Sequence, residues 1–264
     1  MDVEKRCVKS IGCVSALGLG TSSLGSSETD MAILGNALAY GLWLIDTSEV
    51  YGRGQVEELI GRALKSFAKH ERENAVVVTK FWPDEQSFDK VVKAAEASSR
   101  RLGTYIDIYM PHGPIETARL CEVVKAFEEL IERGVIRHWG LSIARRELIE
   151  SARQCAKKYD IAAVENIYNP YHRIDEYGLI PYAQKEGVLY IAASPLARGL
   201  IVENRRLAQL AARLGKTPAQ IALRWAMDKG VVPIPRTNRP DRVIEYAGAY
   251  GWRLPEDAVK FLEE

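Results

Sequence analysis

Leu42-Trp43-Leu44-Ile45-Asp46-Thr47-Ser48-Glu49-Val50-Tyr51-Gly52-Arg53-Gly54 is the stretch from which the rest of the chain can be read. Four apolar residues without a helical period predict a short strand buried on both faces. That strand ends on an ionisable side chain, Asp46, and runs into a turn bounded by glycines. An Asp at such a place often caps the following helix. Here the amphipathic pattern resumes only near Gln55, too far along for Asp46 to be its cap, so the carboxylate is expected to serve something other than helix initiation.

Working outward, strand and helix alternate with a regular beat. Leu17 to Thr21 predicts a strand, and Asp30 to Tyr40 a helix closed by Gly41. Beyond the opening strand come a helix over Glu57 to Ala68, a β-branched strand over Ala75 to Lys80 and a helix over Asp89 to Leu102. The strand Tyr105 to Met110, the helix Glu116 to Glu132, the strand Ile136 to Ile143 and the helix Arg145 to Lys158 continue the pattern. Strands over Ile161 to Glu165, Val188 to Ser194 and Val231 to Pro235 complete it, with helices over Ile180 to Lys185, Leu207 to Leu214, Pro218 to Asp228 and Pro240 to Tyr250. Thr217 and Pro218 have the character of an N-cap and a first helical residue. Eight strand–helix repeats without a linker imply parallel strands, and in 264 residues they predict a closed (β/α)₈ TIM barrel, residues 1–264 forming one domain.

An apolar fraction of 47% is enough to fill such a core, and a formal net charge of +1 gives no field that would recruit nucleic acid or an acidic membrane surface. No segment has the length of a membrane span, and the N-terminus, with Glu4, Lys5 and Arg6, lacks the apolar core of a signal peptide. Cys7, Cys13, Cys121 and Cys155 show no metal-ligand spacing, so reduced thiols, a cytoplasmic location and no metal are expected. No obligate protein partner is evident.

In a barrel, the loops after the strands carry the chemistry. The strand ends here bear Thr21, Asp46, Lys80, His112, Ser142, Glu165, Ser194 and Arg236. In an apolar barrel mouth Lys80 and Asp46 are expected to persist only as a pair, and the ammonium is expected to lower the pKa of the Tyr51 phenol, making it a tuned proton donor.

With these residues assembled, the chain resembles the aldo-keto reductases over nearly its whole length. The resemblance lies in Gly41 through Gly52 with Asp46-Thr47 and Tyr51-Gly52, in Glu57-Glu-Leu-Ile-Gly-Arg-Ala-Leu64, in Thr79-Lys80 and His112, and in Gly134-Val-Ile-Arg137-His-Trp-Gly140-Leu-Ser142. It implies a catalytic tetrad: Tyr51 as general acid, Lys80 and Asp46 tuning it, and His112 orienting a substrate carbonyl. Hydride would come from a nicotinamide. Pro235-Arg236-Thr237-Asn-Arg239-Pro-Asp-Arg242-Val-Ile-Glu245 is similar to the family's grip on an adenosine 2′-phosphate, so NADP(H) is the implied cofactor. The implied cofactor contacts are Gly20, Thr21, Ser22, Asp46, Ser142, Glu165, Ser194, Leu196, Arg198, Arg236, Thr237, Arg242 and Glu245.

Three positions depart from the family pattern. Ile143 stands where Asn usually follows Ser142, Ala193 where a ring often stacks on the nicotinamide, and Glu165 where the family has Gln, although a one-residue slip would put Asn166 there. A charged Glu165 accepts a hydrogen bond but cannot donate one, so a loosely held ring is expected. The pocket, open towards the C-terminus, would be walled by Trp82, Tyr168 and the loop after His112. The resulting expectation is a reductase of small aldehydes or ketones, or the reverse reaction. A nucleotide-binding module with weak or no catalysis and a Schiff-base enzyme using Lys80 remain open.

Overall fold

The structure, a computed structural model, describes residues 2–66, 72–84 and 86–264. Eight short strands lie parallel in sequential order: β3 (Gly18–Gly20), β4 (Leu44–Asp46), β5 (Val76–Phe81), β6 (Ile106–Pro111), β7 (Ile136–Ser142), β8 (Ala163–Ile167), β9 (Leu189–Ala193) and β10 (Val232–Pro233). The first and last meet through a parallel bridge between Gly20 and Arg236 and a 2.9 Å hydrogen bond from Gly20 N to Pro235 O, which brings the ends of the sheet together into a (β/α)₈ barrel.

The crossovers are α1 (Glu28–Ala39), α2 (Gln55–Ser66), α3 (Phe88–Leu102), α4 (Leu120–Glu132), α5 (Arg146–Cys155), α6 (Leu179–Glu186), the pair α7 (Arg205–Arg213) and α8 (Pro218–Asp228), and α9 (Pro240–Ala247). Strand ends differ from the sequence reading by at most two residues, while α8 matches it, held by the reciprocal cap of Thr217 and Gln220. The expected last residues of α2, Phe67 and Ala68, lie outside the described residues.

The period-two pleat explains how one sequence fills two cores. Leu44, Val78, Ile108, Ala163, Leu189, Ile191 and Val232 point into the barrel, whereas the alternate residues, among them Ile45, Val77 and Val164, pack with the helices in a larger outer shell. Continuing the inward set upward by two residues places Asp46, Lys80 and Glu165 above Leu44, Val78 and Ala163. The architecture itself therefore delivers three ionisable groups to one rim.

Two elements were not anticipated. A hairpin of β1 (Lys5–Val8) and β2 (Gly12–Ser15) closes the bottom of the barrel: Val14 joins the interior core, and Ser10 Oγ bonds Ala162 O and Gly187 O at 3.0 and 2.9 Å. A final helix, α10 (Glu256–Glu263), packs on the outside, where Trp225 Nε1 donates to Glu263. The expectation of reduced thiols is corrected as well. Cys7 and Cys13 are direct cross-strand neighbours and form a disulfide, and Cys121 on α4 is bonded to Cys155 on α5. Sequence spacing carries no information about the strand register and helix packing that bring these sulfurs together.

Candidate active site

The short β4 strand hands Asp46 directly to a loop laid along β5. Thr47 N donates to Val78 O at 2.8 Å, Glu49 N to Lys80 O at 3.1 Å and Tyr51 N to Ser48 O at 3.0 Å. The turn then reverses through Gly52, Arg53 and Gly54, all at positive φ, before α2 begins at Gln55. Glycine is needed at Gly54, whose φ of +91° is closed to other side chains and whose absent Cβ leaves room for Arg101. These constraints set the Tyr51 phenol over the end of the barrel.

Beneath it lies a buried ion cluster. Lys80 is essentially inaccessible and forms a short ion pair with Asp46; its ammonium also donates to Thr47 O at 3.2 Å. Glu165 reaches the same ammonium from across the barrel, with Oε2 3.1 Å from Nζ but no hydrogen-bond geometry. Burial alone would lower the Lys80 pKa, but the Asp46 and Glu165 charges outweigh it and hold the amine protonated. A buried amine so occupied is no Schiff-base nucleophile.

The expected lowering of the Tyr51 pKa does not occur. Burial and the Asp46 carboxylate push the phenol well above its ordinary value, and the Lys80 ammonium, paired with Asp46, only partly opposes them. Glu165 is likewise pushed up to about 8 by burial and by Asp46, against the pull of Lys80. It therefore carries a proton near neutral pH, and the expectation of an acceptor-only carboxylate is replaced by a group that can donate.

His112 stands beside Tyr51, with Nε2 3.4 Å from the phenol oxygen, and the two rings meet edge-on. Its other nitrogen lies 2.8 Å from Ser48 Oγ. The Ser48 hydroxyl proton points at Lys80 O, 3.1 Å away, so this network assigns the imidazole proton to Nδ1 and leaves Nε2 as an acceptor facing Tyr51. Burial and Lys80 lower the His112 pKa against the opposing pull of Asp46, which keeps the ring neutral at pH 7. Sequence reasoning passed over Ser48, since nothing in its neighbours announces a partner 64 positions away.

From this cluster a cleft of about 500 Å³ runs towards α9. Of the expected cofactor contacts, Gly20, Ser22, Asp46, Glu165, Ser194, Leu196, Arg198, Arg236, Thr237 and Arg242 line it. Thr21, Ser142 and Glu245 stand behind the wall: Thr21 Oγ1 donates to Asp46 O at 2.8 Å, Ser142 Oγ to Pro111 O at 2.6 Å, and Glu245 pairs with Arg242 at 2.5 Å. The sequence reading missed Ser23, Asn238, Arg239 and Tyr246 in the wall, which a helix-start loop rich in polar side chains could have suggested. Glu165 faces inward, while Asn166 bonds both polar groups of Ala144 on the neighbouring loop, which settles the register. Tyr168 is corrected: it is fully buried, stacked on Trp225 and donating to Glu176, so it walls no pocket. Trp82, 48% exposed and edge-on to His112, does stand at the rim.

The two ends of the cleft differ in chemistry. The α9 end carries Arg236, Arg239 and Arg242 at a helix N-terminus, where backbone N–H groups also favour an anion. Arg239 and Arg242 are paired with Asp241 and Glu245, whereas Arg236, among the described residues, forms no ion pair. The other end is the Tyr51 floor. Between them the Ser194–Gly199 loop is bent through positive φ at Ser194, Ala197 and Arg198, and Asn169 Nδ2 ties it down at Ser194 O, 3.0 Å away.

Known proteins similar to this chain include reductases. The methylglyoxal reductase of Escherichia coli K12 is 32% identical over 99% of this chain and 95% of its own length, and the glyoxal reductase of Bacillus subtilis 168 is 29% identical over 91% and 84%. An aldo-keto reductase from Klebsiella pneumoniae crystallised with NADPH superposes with a TM-score of 0.88 at 30% identity, covering 98% of this chain and 94% of that one. A thermostable aldo-keto reductase bound to the inhibitor epalrestat gives 0.89 at 34% identity, covering 100% and 99%. Residues 16–264 match the Aldo/keto reductase family as a whole, and the chain belongs to that family.

Proposed function

We propose that residues 1–264 form one catalytic unit that reduces a small aldehyde or ketone with NADPH, Tyr51 supplying the proton. The observation that carries this reading is the position of the Tyr51 hydroxyl: it lies at the floor of a cleft that is basic at one end and holds a buried Lys–carboxylate cluster at the other. The cleft fits the dinucleotide by its chemistry. Arg236 and Arg242 suit a phosphate dianion, the apolar faces of Ala193 and Ile234 suit a flat ring, and the protonatable Glu165 carboxyl in the lining suits an amide.

When bound, NADPH supplies the hydride. The chain's own residues do the rest. Tyr51 keeps its proton until an oxygen more basic than a phenolate develops within reach, which is the state a carbonyl approaches as it becomes an alkoxide. The Lys80 charge then steadies the phenolate left behind, with Asp46 holding the ammonium in place. Neutral His112 accepts from the phenol through Nε2 in the free site and limits the positions of its hydroxyl. Trp82 walls the carbonyl side and excludes water.

Loss of NADPH absorbance across a panel of aldehydes and ketones tests the proposal. Small dicarbonyls head the panel because two relatives are a methylglyoxal and a glyoxal reductase. Replacing Arg236 or Arg242 by Ala is expected to lower NADPH affinity about tenfold or more and leave NADH nearly unchanged, the size of a charge-assisted phosphate contact of roughly 1.5–3 kcal/mol. Equal losses for both dinucleotides in a binding titration would assign these arginines to the pyrophosphate or the fold.

A further inference from the structure

The floor of the cleft holds one carboxyl group more than its cation balances. Asp46 takes the short ion pair with Lys80, and Glu165 shares that ammonium at 3.1 Å while its Oε2 finds no hydrogen-bond partner. The titratable and charged groups around it come from five elements. They are Asp46 at the end of β4, Tyr51 on the loop beyond, Lys80 on β5, His112 after β6 and Arg236 after β10. His112 is neutral and Tyr51 keeps its proton, so Lys80 is the cation within ion-pair reach of Glu165 among the described residues. With Lys80 matched by Asp46, the ionisation of Glu165 decides whether the buried floor is neutral or carries a surplus negative charge.

Ala193 and Ile234 add apolar faces to the same cleft. On the cofactor reading above, the ring that must come within reach of Tyr51 is the part of the dinucleotide whose charge changes: it is a cation when oxidised and neutral when reduced. We propose that Glu165 makes the cleft discriminate between NADP⁺ and NADPH according to pH, giving up its proton when the cationic ring is bound and keeping it when the neutral ring is bound.

The direction follows from linkage. In the free protein the carboxyl is pushed up to about 8. A cation a few ångströms away lowers a carboxyl pKa by about 1–3 units, and each unit is a tenfold difference in affinity between the two protonation states. NADP⁺ binding near neutral pH therefore releases a proton and tightens as pH rises towards 8. NADPH binding takes up no proton in that range and weakens above it. The ratio of the two dissociation constants, NADP⁺ over NADPH, is expected to fall at least about tenfold from about pH 6 to about pH 9. Taking the ratio cancels the titration of the 2′-phosphate, which both ligands share. In cells with changing pH the enzyme would shift its preference between hydride donor and product accordingly.

Calorimetric titration of the wild-type protein with each dinucleotide across this pH range, in two buffers of different ionisation enthalpy, measures both the constants and the protons exchanged. The expected result is proton release on binding NADP⁺, none on binding NADPH near pH 7, and a pH-dependent ratio that becomes flat in Glu165→Gln. A flat ratio and no proton release in the wild type would overturn the inference even with both ligands bound, and requires no variant to fold. A dependence that persists in Glu165→Gln would assign it to another group such as His112 and overturn it too. If neither dinucleotide binds, the cofactor reading falls together with the inference.

Discussion

The barrel buries a cation at each end, and the two are surrounded differently. At the bottom, Arg224 on α8 is 1% exposed and spends its guanidinium on Glu4 at 2.8 and 3.0 Å, Asp228 at 2.7 and 3.0 Å, and Ala249 O at 3.3 Å. Its carboxylates have further work: Asp228 also holds Arg253 and Leu254 N, and Glu4 bonds Gly251 N. At the top, Lys80 is equally buried, but one of its two carboxylates keeps an oxygen without a hydrogen bond and opens onto a cleft. A guanidinium fork offers enough donors to saturate its neighbours, and a saturated cluster ties the N-terminal hairpin to the barrel. An ammonium is a point charge with three donors, and the surplus carboxyl left beside it is a group that can change protonation state. The first arrangement suits stability, and the second suits the chemistry proposed above.

The largest expected effect separates the two ends by activity. Tyr51→Phe removes the transferable proton and almost no volume, so turnover should fall by about 10²–10⁴-fold or more while NADPH affinity and thermal stability stay close to wild type. Steady-state kinetics with a titration of the cofactor checks this. Wild-type rates in the variant would remove Tyr51 from the mechanism.

Next comes a matched pair of substitutions. Arg224→Met strands Glu4 and Asp228 and breaks the seam between hairpin, α8 and the segment after α9; a loss of about 3–5 kcal/mol in urea unfolding is expected. Lys80→Met should stop turnover yet cost less stability, because Asp46 and Glu165 adjoin the cleft and can share a proton or take up water. Equal stability losses would mean that the top cluster is as structural as the bottom one.

The same contrast explains what the sequence could disclose. The strand ends were legible because burial and periodicity are local properties: Asp46, Lys80 and Glu165 each end an apolar run, and the pleat sends all three inward. The hairpin Lys5–Ser15 was not, since its polar, half-exposed residues show no core signal and its strands are secured by Ser10, by Arg6 to Met227 O and by a disulfide, all dependent on tertiary position. The sign of the Tyr51 shift was misjudged for a related reason. Lys80 was visible beside it, but the burial of the phenol, the largest contribution, follows from how the loop after β4 packs over the barrel end.

Stability against pH sharpens the comparison further. Glu165 titrates near 8 in the folded protein and at an ordinary carboxyl value of 4.5 when unfolded. Between these values the folded state binds more protons, so this group's contribution is present at low pH and is lost as pH rises towards 8. Glu165→Gln should be nearly neutral at pH 5 and stabilising at pH 9, by an amount on the order of 4 kcal/mol. Urea melts at the two pH values test it. A pH-independent difference would mean that water or a shifted Lys80 relieves the surplus charge.

The smallest effect concerns Ser48, which joins the two halves of the top cluster. Its hydroxyl donates to Lys80 O and accepts from His112 Nδ1–H, so one side chain couples the position of β5 to the tautomer of the imidazole that faces Tyr51. Replacing it by Ala removes a hydrogen bond of about 0.5–1.5 kcal/mol and frees the proton to sit on either ring nitrogen. With the proton on Nε2 the ring becomes a donor, and it then competes with Tyr51 for the oxygen of a bound carbonyl instead of accepting from the phenol. Ser48→Ala should therefore lower kcat by less than about tenfold, with little change in unfolding free energy. The ¹⁵N shifts of His112 should move from a single Nδ1–H form to a mixture of the two tautomers. An imidazole that is already mixed in the wild type, or that stays unchanged in the variant, would show that Ser48 packs against His112 without directing its proton.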